Sequence, residues 1–378
     1  MKVMLGLSGG VDSAVAAYLL KKQGYEVICC FMRNWDSFAN NDVLGNPTLG
    51  EDICPQEKDY NDAKKVAEKL NLKMMRIDFI KEYWDYVFSY FLDEYKKGRT
   101  PNPDIFCNKY IKFDAFLKFA KENGCDYIAM GHYAKRVDRD GKTYLYKAKD
   151  LNKDQTYFLS QISNEQLRSC LFPLGDITKE EVRKIAHELD LTSVEDKKDS
   201  TGICFIGERN FKEFLKNYIP STKGKIVDIE NNRVLGEHDG VMYYTLGQRK
   251  GLGIGGIKGE EAKGWFVAKK DVKNNILYVA SGSEDEHLFS DSCIVNSLNL
   301  YNEKIPDNTH LYAKFRYRQK DLGVTLYNID ELTIKLVFDN NYKAITPGQA
   351  CVLYLEDGCC LGGGIIDKVY YKGQLKNY

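Results

Sequence analysis

Three groups of residues in this chain have types and spacings that could do chemistry. The first is Gly6, Leu7, Ser8, Gly9, Gly10, Val11, Asp12 and Ser13. It follows the apolar run Val3, Met4, Leu5 and opens a stretch in which Ala14, Ala17, Tyr18 and Leu20 recur at helical spacing. Adjacent glycines let a backbone approach a polyphosphate without interference from Cβ atoms. Unpaired amide hydrogens at a helix N-terminus favour an anion, and the Ser8 and Ser13 hydroxyls can add donors. No Gly-Lys-Ser/Thr follows, so the Walker A pattern is absent. The strand–loop–helix setting predicts a nucleotide loop rather than a plain glycine turn capped by Asp12 or Ser13.

The second group is a pair of cysteines in distant segments. Cys107 ends a loop that contains Gly98, Arg99, Pro101, Asn102, Pro103 and Asp104. The two prolines forbid a regular helix or a central strand there. A helix marked by Tyr110, Phe113, Leu117 and Ala120 is expected to begin just after Cys107. A helix N-terminus and the neighbouring Lys109 would both lower the thiol pKa, and Asp104 could take or give a proton. A packed, inert thiol is the alternative. Cys204 lies between Gly202 and Gly207, with Lys197 and Lys198 upstream. Ile203, Phe205 and Ile206 also fit a buried strand, and residue types alone favour an inert Cys204.

The third group is basic. Residues 309–320 contain Lys314, Arg316, Arg318 and Lys320 and no acid, in a chain with only 12 arginines. Read as a strand, these cations share one face, and Leu311, Ala313, Phe315 and Tyr317 share the other. This predicts a basic ribbon suited to phosphates; an edge strand guarded by charge is the alternative. Arg249 and Lys250 form a second basic loop.

These groups need elements to position them. Four short apolar runs, at 3–7, 27–32, 73–78 and 127–130, alternate with helical patterns over residues 1–130. Such alternation predicts a parallel sheet covered on both faces. In such a sheet a base is expected at the carboxyl ends of the strands, where Phe31, Met32 and Gly131 stand. His132 could polarise a phosphate or serve as a cap. From residue 223 onward, short β-rich runs alternate with Gly, Asn and Asp turns, predicting small sheets or barrels. Residues 248–263 read as a long loop, and Gly362, Gly363 and Gly364 as a turn or bulge.

Composition sets outer bounds. The 378 residues carry 54 Lys+Arg and 54 Asp+Glu, so bulk electrostatic grip on nucleic acid is excluded. No apolar stretch reaches the ~18 residues of a membrane span, and no signal peptide is read at the N-terminus. Eleven cysteines without any Cys-x-x-Cys predict reduced thiols and argue against zinc ribbons.

Segments 6–13, 98–113, 152–160 and 199–211 together resemble the bacterial tRNA-specific 2-thiouridylases of the ATP-pyrophosphatase superfamily. Residues 245–256 and 346–349 extend the likeness, which runs essentially end to end. The glycine loop alone is shared with GMP and NAD synthetases. With the change of texture, the resemblance implies an α/β fold with three parts. Residues 1–208 would form a doubly wound parallel sheet, an adenine nucleotide alpha hydrolase-like PP-loop domain. Residues 209–281 would form a small central β-rich domain, and 282–378 a C-terminal β-barrel-like domain that contacts tRNA.

The resemblance also implies roles. Cys204 would carry a persulfide, Cys107 would act as the nucleophile, and the two could join in a disulfide. Asp104 is the candidate acid/base and, with Asn102 and Pro103, would surround the target base. Lys153, Asp154, Gln155, Arg316, Tyr317 and Arg318 would touch tRNA. Gly6 to Ser13, Met32 and Gly131 would contact ATP. Many relatives have a second serine where Ala14 stands; the other loop hydroxyls remain. The implied co-substrate is ATP with Mg²⁺, and the sulfur donor a protein persulfide on a sulfur-relay protein or cysteine desulfurase. The implied partner is the anticodon loop of lysine, glutamate and glutamine tRNAs, with no tightly bound metal or cluster. A cytoplasmic monomer is expected. Rival readings are another adenylating enzyme, such as an amidating ligase, and a non-catalytic tRNA-binding or persulfide-carrier protein.

Overall fold

The structure, a computed structural model, describes residues 1–51, 53–194, 197, 202, 206–207, 209–254 and 263–376. Cys204, Lys198 and much of the 248–263 loop lie outside the described residues. Strands β1 (Lys2–Gly6), β2 (Glu26–Arg33), β3 (Lys73–Asp78) and β4 (Tyr127–Ala129) are parallel, in the order β3-β2-β1-β4, and Cys170–Leu171 extends the sheet beside β4. β1 and β2 are apolar nearly throughout because both faces of the sheet are covered. One face packs Val3, Leu5 and Phe31 against α1 (Val11–Lys22), α2 (Pro55–Lys69) and the helix Lys179–Glu188. The other face packs Met4, Ile28 and Met32 against the helical run 103–122. The expected doubly wound sheet is therefore present.

Two long helical runs carry π-type turns, at Trp84–Phe88 and Cys107–Ala115. Such turns often mark functional positions, and the second holds Cys107.

The central part is a four-stranded sheet, in the order Trp265–Asp271, Ile276–Ser281, Gly224–Asp228, Val234–His238. In the C-terminal part, Phe289–Leu300 pairs with both Ile334–Lys343 and Cys359–Tyr371, which closes six strands into a barrel. Its interior holds Val295, Leu311, Val324, Leu336, Leu353 and Ile366. Gly362 to Gly364 lie inside the last long strand. A Cβ on Gly362 would stand 2.1 Å from the Asn299 carbonyl oxygen, and pairing shifts register between Asn296 and Asn299. The glycines make a bulge, as expected.

One hairpin was not anticipated. Ala134–Arg139 and Lys142–Lys147 pair through a turn at Asp140 and Gly141, both at positive φ (53° and 73°). Asp-Gly between alternating residues is the type I′ hairpin signal. Its second strand pairs with Cys359–Tyr371, joining this early segment to the C-terminal sheet.

Candidate active site

The glycine loop connects β1 to α1 as predicted. The Ser8 amide donates to Ser13 Oγ, and the two hydroxyls are 3.1 Å apart. Ser13 Oγ also reaches the Gly10 carbonyl at 3.1 Å. The α1 backbone ladder starts with Ala14 N–H to Gly10 O, so the amides of Val11, Asp12 and Ser13 belong to the open first turn. Gly9 has φ +74°, and a Cβ there would sit 2.2 Å from the Asp59 carbonyl oxygen. Only glycine lets the loop lie this close to α2. A Cβ on Gly6 would meet Met32 and Met130, and one on Gly131 would meet the Ser13 amide nitrogen at 3.0 Å. Met32 and Gly131 therefore converge on the loop at the carboxyl edge of the sheet.

Residue types alone had not singled out three side chains around the loop. Lys179 Nζ binds both carboxylate oxygens of Asp12, at 2.7 and 2.8 Å, and the Tyr133 hydroxyl donates to Asp12 at 2.7 Å. Lys197 Nζ donates to the Gly9 carbonyl at 3.0 Å and pairs with Asp59 and Asp62, each at 2.8 Å. Partial burial pulls the Lys197 pKa down, but the two carboxylates outweigh it and hold it above the ordinary lysine value. A signal for Lys179 was present: Thr178 and Glu181 form a capping box that fixes Lys179 at the first turn of its helix. His132 is buried, and desolvation, with Lys112 nearby, pushes its pKa well below the usual imidazole value. It is a neutral ring rather than a cationic phosphate ligand.

The Cys107 loop departs from expectation in one respect. The helix begins at Pro103, not after Cys107: Asn102 caps it by accepting the Asp104 amide at 3.1 Å, and Pro103 takes the first turn. Cys107 is thus in the second turn, one turn beyond Asp104 on the same face, and fully buried. Lys109 does not serve the thiol; its ammonium lies 3.3 Å from Gln161 Oε1 and over the Tyr110 ring.

All three parts of the chain clamp this loop. A Cβ on Gly98 would strike Val272 of the central sheet. Arg99 pairs with Glu94 at 2.7 Å and Asp367 at 2.9 Å. The Thr100 amide donates to the Pro347 carbonyl, and Gln349 Nε2 donates to the Thr100 carbonyl at 2.7 Å. The loop borders a cavity of about 380 Å³, lined by Thr100, Asn102, Pro103, Asp104, Gly202, Gly207, Arg209 and Gln349. Gly202 and Gly207 bracket Cys204 in sequence, so the cavity joins the two cysteine-bearing segments. Arg209, not foreseen, ion-pairs at 2.8 Å with Asp42, which is 0% exposed and also accepts from Trp35.

The basic ribbon needs correction. The strand ends at Lys314, and 315–319 turn away, so four cations do not share a strand face. Lys314 lies over the Tyr354 ring, and Arg316 Nη2 donates to the carbonyls of Leu246 and Ala344 and to Thr346 Oγ1. Burial lowers the Arg316 pKa. Arg318 and Lys320 are exposed. Tyr317 packs on Phe158 with ring centroids 4.3 Å apart, which brings segments 153–158 and 316–318 together. Asp154 is 3% exposed, with its carboxylate turned inward to the Ala148 amide and Thr156 hydroxyl. Desolvation raises its pKa. Gln155 exchanges hydrogen bonds with the Tyr133 backbone.

Among the described residues every cysteine is a thiol outside any disulfide, and burial pushes Cys29 and Cys30 up to about 12. No described helix is long and apolar enough to cross a membrane.

Comparison with known proteins matches the three parts in turn. A tRNA methyl transferase HUP domain model covers residues 1–208, a tRNA methyl transferase PRC-barrel domain 212–281, and an aminomethyltransferase beta-barrel domain 290–366. The tRNA-specific 2-thiouridylase MnmA of Mycoplasma capricolum is 60% identical over 376 residues, covering 97% of this chain and 99% of that protein. The proteins of the same name from Mycoplasma mobile and Acholeplasma laidlawii are 55% and 53% identical, each covering 100% of this chain and 99% of their own length. Among solved structures, a 4-thiouridine synthetase–RNA complex with bound ATP has a TM-score of 0.33 at 14% identity, covering 55% of this chain and 46% of that one. That likeness is too slight to bear on the argument.

Proposed function

The chain belongs to the tRNA-specific 2-thiouridylase family, and we propose that it replaces the C2 oxygen of the wobble uridine, position 34, with sulfur from the persulfide of Cys204. As a family member it is an ATP-using tRNA-uridine 2-sulfurtransferase. The observation that carries the finer reading is the shared cavity. Asn102, Pro103 and Asp104 line it together with the glycines on either side of Cys204, beside the helix that holds Cys107.

A carbonyl oxygen is a poor leaving group. Attack of the uracil O2 on the α-phosphate of ATP expels pyrophosphate and leaves O2 as part of an AMP ester. Sulfur then attacks C2, AMP departs with that oxygen, and the C2–S bond replaces the C2–O bond. The sulfur is delivered either by the terminal sulfur of the Cys204 persulfide or by sulfide released when Cys107 attacks it. In the direct route Cys107 then attacks the Cys204 sulfur and expels the thiolated base; in the other its attack on the same sulfur has already released the sulfide. Both leave a Cys107–Cys204 disulfide for cellular thiols to reduce, which requires Cα atoms within roughly 7 Å. Asp104 moves the proton between base and pocket. The wobble base must leave its stack to enter the cavity.

Loop amides and the α1 N-terminus bind the polyphosphate, with Met32 and Gly131 toward the nucleoside. The Mg²⁺ is taken as borne by the nucleotide itself, since the carboxylates beside the loop, Asp12, Asp59 and Asp62, are already held by Lys179 and Lys197. That ion would shield the departing pyrophosphate. Asn102, Pro103 and Asp104 hold the base, and Lys153, Gln155, Tyr317 and Arg318 meet the anticodon arm. The lysine, glutamate and glutamine tRNAs are the proposed substrates, and a sulfur-relay protein or cysteine desulfurase the donor. The test is mass spectrometry of nucleosides from tRNA incubated with the protein, ATP, Mg²⁺ and a persulfide source. Formation of 2-thiouridine only when all are present supports the reading, and its absence overturns it.

A further inference from the structure

Polar side chains around the base cavity are already engaged within the protein. Asn102 Oδ1 accepts the Asp104 amide, Arg209 holds Asp42, and Gln349 Nε2 donates to the Thr100 carbonyl. The Thr100 hydroxyl differs. Thr100 lines the same cavity and is only 6% exposed, yet its Oγ1 has no hydrogen-bond partner among the described residues.

The fold does not leave this residue loose. Its amide donates to the Pro347 carbonyl at 3.0 Å, and its carbonyl accepts from Gln349 at 2.7 Å. Gly348, at φ +93°, packs so closely that a Cβ there would stand 2.9 Å from the Thr100 nitrogen. The barrel thus pins both backbone groups while the side-chain oxygen stays open. A buried hydroxyl left without a partner is costly. At the wall of a binding cavity, the bound molecule is what completes it.

Position and chemistry choose the partner. On one side Thr100 meets the turn at 346–349, which Arg316 ties to segment 316–318 through Thr346 Oγ1 at 3.0 Å. Tyr317 and Arg318 are the proposed contacts to the anticodon arm. On the other side the chain runs through Pro101 to Asn102, Pro103 and Asp104, which take the base. Thr100 therefore stands where the sugar of a flipped nucleotide lies, between RNA backbone and base. A phosphate there would call for a cation. The ribose 2′-hydroxyl both donates and accepts, as a threonine hydroxyl does. It is also the group by which a site tells RNA from DNA.

We infer that the Thr100 hydroxyl hydrogen-bonds the ribose 2′-hydroxyl of the nucleotide being thiolated, and so selects a ribonucleotide at that one position. This rests on the reading that the cavity takes the wobble uridine.

The test uses the full-length protein and anticodon stem-loop RNAs carrying a single 2′-deoxy sugar, at position 34 or at either neighbouring nucleotide. Fluorescence anisotropy reads the affinities. In the wild type, the deoxy sugar at position 34 should weaken binding about five- to ten-fold, the worth of one hydrogen bond. At the neighbours the loss should be much smaller. Thr100→Val keeps the shape and should bind the all-ribose RNA about as weakly as the wild type binds the position-34 deoxy RNA. It should show no further loss from that sugar, and Thr100→Ser should keep most of the discrimination. An effect of sugar pucker alone would persist in Thr100→Val, so equal sensitivity in that variant and the wild type overturns the inference. So does a wild type indifferent to the sugar at position 34, or an equal loss at the neighbours. The melting temperature of Thr100→Val should not fall, because the hydroxyl has no protein partner to lose; a fall overturns the inference. None of these affinities needs sulfur transfer. A chain that binds as expected but forms no 2-thiouridine therefore supports this contact and overturns the enzymatic reading.

Discussion

Tyr133 donates its hydroxyl hydrogen to Asp12 Oδ1 at 2.7 Å, and the backbone of the same tyrosine exchanges hydrogen bonds with Gln155. One residue thus joins the phosphate loop to the segment proposed to meet tRNA. Tyr133→Phe removes the hydroxyl and keeps the buried ring. It should weaken ATP and tRNA binding together, each by about 1 kcal/mol, the net value of a typical hydrogen bond. Calorimetry with each ligand checks this; a loss confined to ATP would show that the link carries nothing to Gln155.

Lys179 neutralises Asp12 from a side chain only 10% exposed. Without it, a carboxylate faces the incoming polyphosphate uncompensated. Lys179→Met should raise the ATP Kd about ten-fold or more, since an unpaired charge in a partly dry site costs at least 1–2 kcal/mol. Adding Asp12→Asn should restore part of the affinity. No recovery in the double variant would mean that Lys179 acts on the nucleotide directly.

Cys107 is fully buried and Asp104 lies one helical turn away. Cys107→Ser and Cys204→Ser should each abolish 2-thiouridine while ATP still binds. Asp104→Asn should slow the reaction by about 10²–10⁴, the usual range for general acid–base catalysis. Nucleoside mass spectrometry reads all three. Full thiolation by Cys107→Ser would remove Cys107 from the mechanism.

The parts of this site legible in sequence were those fixed by local rules. A strand, two glycines and a helix start define the phosphate loop without reference to anything distant. The Pro-x-Pro loop before Cys107 was legible as a loop, although the helix start was placed too late because two prolines were read as breakers, when Pro103 occupies the first turn; the roles of Asn102 and Pro103 came from the family resemblance alone. What stayed hidden depends on tertiary contact. Lys179 and Lys197 look like ordinary surface lysines until the fold sets them against Asp12 and Gly9. The alternation of 309–320 is a strand pattern, but the barrel needs the Arg316 guanidinium for the carbonyls of Leu246 and Ala344, and the chain turns there. Packing overrode periodicity. The hairpin at Asp140 and Gly141 did carry a local signal, an Asp-Gly pair between alternating residues, that went unread.

The corrected basic surface makes Arg316 and Arg318 unequal. Arg318→Ala with Lys320→Ala should leave stability unchanged and flatten the dependence of log affinity on log salt by about 1–2, the share of two phosphate contacts. Arg316→Ala should lower the melting temperature, because its carbonyl partners lose a charged donor, at a cost of roughly 1.5–3 kcal/mol. Fluorescence anisotropy with tRNA at several salt concentrations distinguishes the two. An unchanged slope in the Arg318/Lys320 variant would move the RNA contact elsewhere.

Lys270 provides a test of pH dependence away from the site. It is 1% exposed in the central sheet, with its ammonium 2.9 Å from the Tyr244 carbonyl. Desolvation lowers its pKa to about 7, against an unfolded value of about 10.4. Below pH 7 both states hold the proton, and the folded state bears the full cost of burying the charge. Between about pH 7 and 10 the unfolded chain binds more protons than the folded one, so this destabilisation is relieved as pH rises. Lys270→Met removes the charge but leaves the Tyr244 carbonyl without its donor. The net gain at pH 6 should be about 1–3 kcal/mol, the desolvation cost less the lost hydrogen bond. The gap between variant and wild type should shrink steadily from pH 7 to pH 9.5 in urea titrations. A constant gap over that range would mean that Lys270 keeps its proton throughout.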